Sequence, residues 1–227
     1  MTLETDFETF LFISKNKYQI FVYDKNNFKN LYIEETKIND ETKLDNLSNF
    51  LDENIYKIEK IINNFIRDVI LIIEDNKVLD ISISIKKKNY EKHIDQKYLK
   101  NNLIEAKDIF KENYKDQIIM HMLIVNNDKN ENNFQLNNND YLFLEVNFIS
   151  IPNNFTFYFD KLLKNYQIKI RRYMSGNYIK SYFGEDATEL SIMANKLNNG
   201  LNKNEVQLVS KSTKNEGFFE KFFQLFS

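Results

Sequence analysis

The chain has 227 residues, enough for one large domain or two small ones with a real core. Hydrophobic residues make up 42% and charged residues 28%, a globular composition that excludes a disordered chain. The 31 Lys and Arg nearly cancel the 33 Asp and Glu, so no overall field would gather nucleic acid, and the lack of cysteine excludes disulfides and thiolate metal sites.

In chain order, "TFLFISKNKYQIFVYD" (Thr9–Asp24) reads as a β-hairpin, with apolar and β-branched residues flanking the polar turn Ser14–Lys17. "NFKNLYIEET" reads as a third strand. From Asn46 to Ile66, residues Leu47, Phe50, Leu51, Ile55, Ile58, Ile62, Phe65 and Ile66 recur at helical spacing. "DVILIIED" is a short apolar run, the mark of a strand buried on both faces. Residues 1–79 therefore read as a β-β-β-α-β subdomain.

A second cycle starts at "VLDISISIKKKN", where Ile81, Ile83 and Ile85 alternate with Asp80, Ser82 and Ser84, as in a strand with one wet face. "IDQKYLKNNLIEAKDIFKENY" reads as a helix with Leu99, Leu103, Ala106 and Phe110 along one side and Asp95 near its start. Two strands follow, "QIIMHMLIV" and "YLFLEVNFISI", separated by the polar loop Asn126–Asp140 and stopped by Pro152. "FTFYFDKLLKNY" reads as a helix and "IKIRRYMSG" as a strand. Residues 80–176 are thus expected to form an α+β unit, β-α-β-β-α-β, with helices over a mostly antiparallel sheet.

After Gly176, "YIKSYF" reads equally as a sheet extension or a helix start. "DATELSIMANKLNNG" reads as a helix with Gly200 just past its end, and "NEVQLVSK" as a last short strand. Residues 177–209 are expected to return to the first subdomain, and 210–227 to hold a polar linker and a terminal amphipathic helix.

That terminal stretch, "GFFEKFFQLFS", is the chain's most apolar. At about 100° per residue, Phe218, Phe219, Phe222, Phe223, Leu225 and Phe226 fill an arc of roughly 160°. Glu220, Lys221, Gln224 and Ser227 take the rest. Helices shorter than about 12 residues are marginal in water, so this one needs a surface to order it. Full burial of a Phe or Leu is worth about 1.5–3 kcal/mol, so half-immersion of all six supplies roughly 5–9 kcal/mol before ordering costs. Lys221, with Lys211 and Lys214, adds about 1 kcal/mol apiece beside anionic headgroups. The favoured reading is an anionic membrane surface; a partner's groove and docking onto the chain's own domain are the alternatives.

No residue reads as catalytic, and no metal or cofactor site is expected. His93 and His121 are the only histidines, whereas a metal needs three or four converging ligands. His121, within "IIMHMLIV", reads as a satisfied residue on a strand face. The pairs Glu34/Glu35, Asp52/Glu53 and Glu185/Asp186 are adjacent in sequence, not held apart as acid–base catalysis requires. Ser175–Gly176 lacks a nucleophile-elbow context. The four glycines stand alone, so no glycine-rich loop is present to cradle phosphate.

Lys86, Lys87, Lys88, Arg171 and Arg172 have two readings. Such residues guard sheet edges against unwanted pairing, and they also face acidic peptides or lipid. If a partner adds a strand to an exposed edge, these five are the candidate contacts. "MTLETDFETF" has no basic region before an apolar core, and no run approaches the roughly 20 apolar residues of a spanning helix, so a cytoplasmic location is expected.

The order of elements resembles FtsA, the actin-related tether of bacterial division. "IEKIINNFIRDVILIIEDNKVLDISISI" is similar to the passage from that family's first lobe into its inserted subdomain. "YLKNNLIEAKDIFKENYKDQIIMHMLIVN" resembles the helix and strand that follow. "FYFDKLLKNYQIKIRRYMSGNYIKSYF" resembles the return, and "KNEGFFEKFFQLFS" the C-terminal membrane-targeting helix. The resemblance spans Phe10 to Phe183 plus the tail, by pattern and order. It implies a partial actin-like (ribonuclease H-like) subdomain carrying an inserted interaction unit. The departures carry their own implications. Ser14–Lys17 stands where the family has a DxG[ST]-like phosphate loop, and Phe183 leads to Gly184–Ala187 where a second loop and lobe would begin. The resemblance therefore implies a shortened form without nucleotide binding, pairing with divisome proteins, with itself and with the inner membrane, at midcell. The other expectation is a cytoplasmic scaffold of a pilus or secretion system that binds an inner-membrane protein's cytoplasmic peptide.

Overall fold

The computed structural model describes residues 6–38, 43–88, 96–125 and 141–206. In chain order its elements are β1 (Phe7–Ser14), β2 (Lys17–Asp24), β3 (Lys29–Lys37), α1 (Lys43–Ile62), β4 (Asp68–Glu74), β5 (Leu79–Lys88) and α2 (Gln96–Asn113). There follow β6 (Gln117–Val125), β7 (Tyr141–Pro152), α3 (Asn153–Asn165), β8 (Lys169–Ser175), α4 (Gly176–Phe183) and α5 (Leu190–Asn198). They form two compact units: Met1–Val78 with Asn153–Asn199, and Leu79–Pro152 with Gly200–Ser227.

The first unit is built on a five-stranded sheet in the order β3-β2-β1-β4-β8. The neighbours β1, β2 and β3 run antiparallel, as short turns demand, while β4 lies parallel to both β1 and β8. Parallel neighbours need long crossovers, and α1 supplies the first. Val69 to Ile73 of β4 and Phe10 to Ile13 of β1 are buried, which is why these central strands read as unbroken apolar runs. The fold class is α+β, as expected.

Helix α1 lays Leu47, Phe50, Leu51, Ile58 and Ile62 into the core. It stops four residues before the expected Ile66. Asn63 takes a left-handed conformation (φ 51°), and the Glu59 carboxylate accepts the backbone N–H of Ile66 at 3.1 Å. Ile66 stays buried without being helical, while Phe65 points into solvent.

The second unit is a three-stranded antiparallel sheet, β5-β7-β6, with α2 on one face. Ile85, Leu99, Leu103, Ala106, Phe110, Met122, Ile124, Leu144, Val146, Phe148 and Val206 make its core. The rings of Phe110 and Phe148 stack with centroids 4.7 Å apart.

This inserted unit is smaller than expected: β-α-β-β over Leu79–Pro152, not β-α-β-β-α-β over 80–176. Strand β8 instead pairs in parallel with β4 of the first unit, from Asp68↔Lys169 to Ile73↔Ser175. The physical cause lies in β4, whose side chains are buried and whose polar backbone groups therefore need a partner on each edge; β1 takes one and β8 the other. "YIKSYF" resolves as helix α4, nucleated by Ser175 Oγ accepting the Tyr178 N–H at 3.2 Å. Of "NEVQLVSK", Glu205 makes one bridge to Leu123, and the part beyond Val206 lies outside the described residues. So do His93, Asp95, the loop Asn126–Asp140 and the whole Gly217–Ser227 tail with its membrane-binding candidates.

Candidate interaction sites

Four places in the two units carry chemistry. The first is the end of the parallel strands beside the Ser14–Lys17 turn. Ser14 Oγ donates to Asn16 Oδ1 at 3.0 Å in the turn between β1 and β2. Just before it, the buried Phe12 ring lies beneath two ammonium groups, Lys17 Nζ at 5.7 Å and Lys180 Nζ at 5.6 Å from its centroid. Each lysine is paired with a carboxylate: Lys17 with Glu35 at 3.3 Å, Lys180 with Glu74. Gly176 opens α4 against the same residues. A Cβ there would lie 3.2 Å from Glu74 Cβ and 3.3 Å from both Glu74 Oε2 and Phe12 Cε2. A helix start attracts anions, and here the neighbouring anion is the chain's own Glu74.

The opposite end of those strands holds the second place. Glu8, buried at the start of β1, accepts from Arg171 on β8, from Asn195 Nδ2 at 2.7 Å and from Asn198 Nδ2 at 3.2 Å. Arg171 also approaches Asp68 at 3.8 Å, and Arg172 donates to Asn198 Oδ1 at 3.1 Å. The two arginines, singled out as docking contacts, thus tie β1 to β8 and α5. Sequence reading missed Glu8 as the partner of Arg171, because the acid opens an apolar run and the arginine lies more than 160 residues away.

The third place is the edge strand β5. Lys87 shares the inward side of the strand with Ile81, Ile83 and Ile85 and pairs with Glu105 on α2. Lys86 and Lys88 are exposed on the other side, in register with Phe143 and Tyr141 of β7. Phe143 is 49% exposed. Ten uninterrupted residue pairs join β5 to β7, and among the described residues no strand pairs with the outer edge of β5. The lysines and the two arginines therefore belong to different units.

The fourth place is a buried ion-pair geometry in the second unit. His121 Nδ1 lies 2.7 Å from Glu205 Oε1, with side-chain exposures of 0% and 2%. His121 is a satisfied strand residue, as the sequence suggested; its partner, 84 residues on, was not foreseen.

The adjacent carboxylates have ordinary surroundings. Glu35 bonds Lys17 and Gln19, and Asp52 accepts from the Tyr166 hydroxyl at 2.7 Å. Glu185 and Asp186 sit exposed in a short 3-10 turn. Burial pushes the Tyr18 hydroxyl up to about 12. Burial, and then the Asp160 carboxylate it donates to at 2.8 Å, push Tyr173 further still. Among the described residues no three His, Asp or Glu side chains are grouped to hold a metal, and no helix is long and apolar enough to cross a membrane.

No protein-family model and no curated protein matches the sequence. Solved structures do. One is a Bacteroides thetaiotaomicron protein with an actin-like ATPase fold and unknown function: 13% identity, 81% of this chain, 57% of that one, TM-score 0.40. A second is the cytoplasmic domain of EpsL, an inner membrane component of the type II secretion system of Vibrio cholerae: 9% identity, 77% and 57% coverage, TM-score 0.39. A third is the PilM–PilN type IV pilus biogenesis complex: 10% identity, 80% and 50% coverage, TM-score 0.49. The chain spans 50–57% of the length of these three chains.

Proposed function

We propose that the chain is a non-enzymatic adaptor with an actin-like core, tethered to the cytoplasmic face of the inner membrane, where it holds the cytoplasmic segment of a membrane protein. The observation that carries the reading is the end of β1. In a nucleotide-binding relative that space would receive phosphate; here the Phe12 ring and the Glu74 carboxylate pack against Gly176, and the Lys180 ammonium pairs with Glu74 over that ring. A chain with an actin-like frame and a filled phosphate position retains the frame's use as a scaffold.

The machinery proposed is a pilus or secretion assembly, whose inner-membrane components present cytoplasmic segments to such a scaffold. The partner would add as an extended, acidic segment along β5. That edge is long and unbulged, and three consecutive lysines give one end a positive charge. A division role is the second reading, favoured by the phenylalanine-rich tail and its likeness to the FtsA targeting helix. A fluorescent fusion imaged in live cells separates the two. Signal distributed over the envelope supports the secretion or pilus scaffold, signal confined to midcell supports division, and a diffuse signal unchanged by tail deletion contradicts both. The nucleotide part has its own test, titration of the full chain with a fluorescent ATP analogue and magnesium. No saturable binding is expected; micromolar binding would refute it.

A further inference from the structure

Three turns close one end of the first unit's sheet, the end where β1, β4 and β8 begin. One joins β2 to β3, one leads from α1 into β4 and one from α3 into β8. Each contains a non-glycine residue in the left-handed conformation: Phe28 (φ 54°), Asn63 (φ 51°) and Gln167 (φ 60°). Asn enters that region readily, whereas a bulky Phe is strained there. A network holds the Phe28 turn in place. The buried Asp24 carboxylate accepts the backbone N–H groups of Asn26 at 2.9 Å and Asn27 at 3.1 Å, and the Asn27 side-chain amide at 2.7 Å. The Lys25 N–H donates to the Asp6 carbonyl at 2.9 Å.

The fold buries little of the ring it places this way. Phe28 is 74% exposed and Phe65, just before β4, is 73% exposed; they are the most exposed phenylalanines among the described residues. Single exposed rings are ordinary, but these two share one end of a sheet, with about two strand spacings, roughly 10 Å, between their turns. Lys29, Arg67, Lys164 and Lys169 stand on the same three connections, all exposed. Among the described residues none of the four is within ion-pair distance of a carboxylate. The exposed acids of this end are engaged: Asp6 pairs with Lys25 at 2.6 Å, and Arg171 approaches Asp68 at 3.8 Å.

We infer that this end of the first unit is a second contact for an anionic lipid surface. Phe28 and Phe65 enter the boundary between headgroups and acyl chains, and the four cations lie against the headgroups. Lipid fits better than a protein pocket, because rings on separate turns with cations around them need no matched cavity in a bilayer. The surface is read from the first unit alone; its use by an adaptor rests on the membrane role proposed above. Alone it is too weak to sediment the chain. Once the chain is attached elsewhere, these groups act at high effective concentration and fix which end of the unit meets the bilayer.

The test uses the full chain with an added histidine tag, held on vesicles by a nickel-chelating lipid, so that attachment does not depend on the tail. The chain has no cysteine, so Asn26→Cys, Asn64→Cys and, at the opposite end of the sheet, Lys15→Cys each give one thiol for an environment-sensitive fluorophore. On vesicles of phosphatidylserine and phosphatidylcholine the labels at positions 26 and 64 should brighten at least twofold, and the label at 15 should not. With phosphatidylcholine alone, or after Lys29→Glu with Arg67→Glu, that response should be lost. Phe28→Gly guards against a merely structural effect. It relieves the backbone, so it should shift the unfolding equilibrium at least threefold towards the folded chain while weakening the response at position 26. Labels at 26 and 64 that stay dim on anionic vesicles, or respond equally after the charge reversals, would overturn the contact. So would a Phe28→Gly chain less stable than the unmodified one, or labels that respond to polyglutamate and not to lipid, the mark of an acidic protein partner. Because the tag supplies attachment, a tail that fails to bind vesicles would leave all of these results standing.

Discussion

Arg171 reaches from β8 past Asp68 of β4 to the buried carboxylate of Glu8 on β1, spanning three strands of one sheet. Asn195 and Asn198 of α5 complete the carboxylate's bonds, so one acid ties the first strand, the last strand and the last helix together. Arg171→Ala leaves that acid buried with amide donors only, and should cost about 2 kcal/mol. Arg172→Ala loses the bond to Asn198 but leaves no buried acid unpaired, and should cost less than Arg171→Ala. Urea unfolding of the two variants measures the difference. Equal, negligible costs would mean that both arginines are surface residues after all.

The filled end of β1 gives a second expectation. A ligand held with micromolar affinity and supplied at a hundredfold excess over its Kd stabilises a fold by about 2.7 kcal/mol. Magnesium-ATP at millimolar concentration should therefore leave Tm unchanged if the phosphate position is occupied by Phe12 and Glu74. Phe12→Ala should cost about 3–5 kcal/mol, because the ring is buried among β1, β4 and α4. A rise of several degrees with nucleotide in the unmodified chain would contradict the proposal.

Most elements were legible because their period is local. The hairpin, α1, α2 and the central strands follow from alternation, helical spacing or apolar runs within a few residues. Which sheet a strand joins is not local. Strand β8 has the same pattern whether it closes the inserted unit or pairs with β4, and only the open edge of β4 decides. The end of α1 turned on Asn63 adopting a left-handed conformation and Glu59 capping Ile66, a choice the spacing of Phe65 and Ile66 concealed. The basic candidates divided for a similar reason. Lys86–Lys88 stay at a strand edge, visible from alternation, whereas Arg171 found an acid at the other end of the chain.

Alkaline titration checks the buried hydroxyls. The folded pKa of Tyr18 is raised to about 12 from an ordinary value near 10, so folding favours the protonated form. That contribution is fully present below pH 10 and is lost as pH rises from 10 towards 12. Tyr173, raised further by burial and Asp160, acts in the same direction. Unfolding free energy should fall with pH across this window, and less steeply in Tyr18→Phe, which keeps the ring that packs 6.3 Å from Phe50. A Tyr18→Phe profile parallel to the unmodified one would remove Tyr18 from the account.

The edge of β5 is tested by charge. Reversing Lys86 and Lys88 to Glu leaves the inward Lys87–Glu105 pair in place and should leave Tm within a few degrees. Binding of an acidic extended peptide, measured by fluorescence anisotropy in low salt, should fall at least tenfold and should weaken with added salt in the unmodified chain. Unchanged binding by the reversed variant would move the docking site elsewhere.

The membrane tether is the claim on which the adaptor reading depends, and co-sedimentation with vesicles tests it most directly. The full chain should pellet with vesicles containing anionic lipid, weakly and reversibly, and less as salt is raised. A chain lacking Gly217–Ser227, and one with Phe222 and Phe223 changed to Glu, should remain in the supernatant. Equal pelleting of all three proteins, or none by the full chain, would contradict the account.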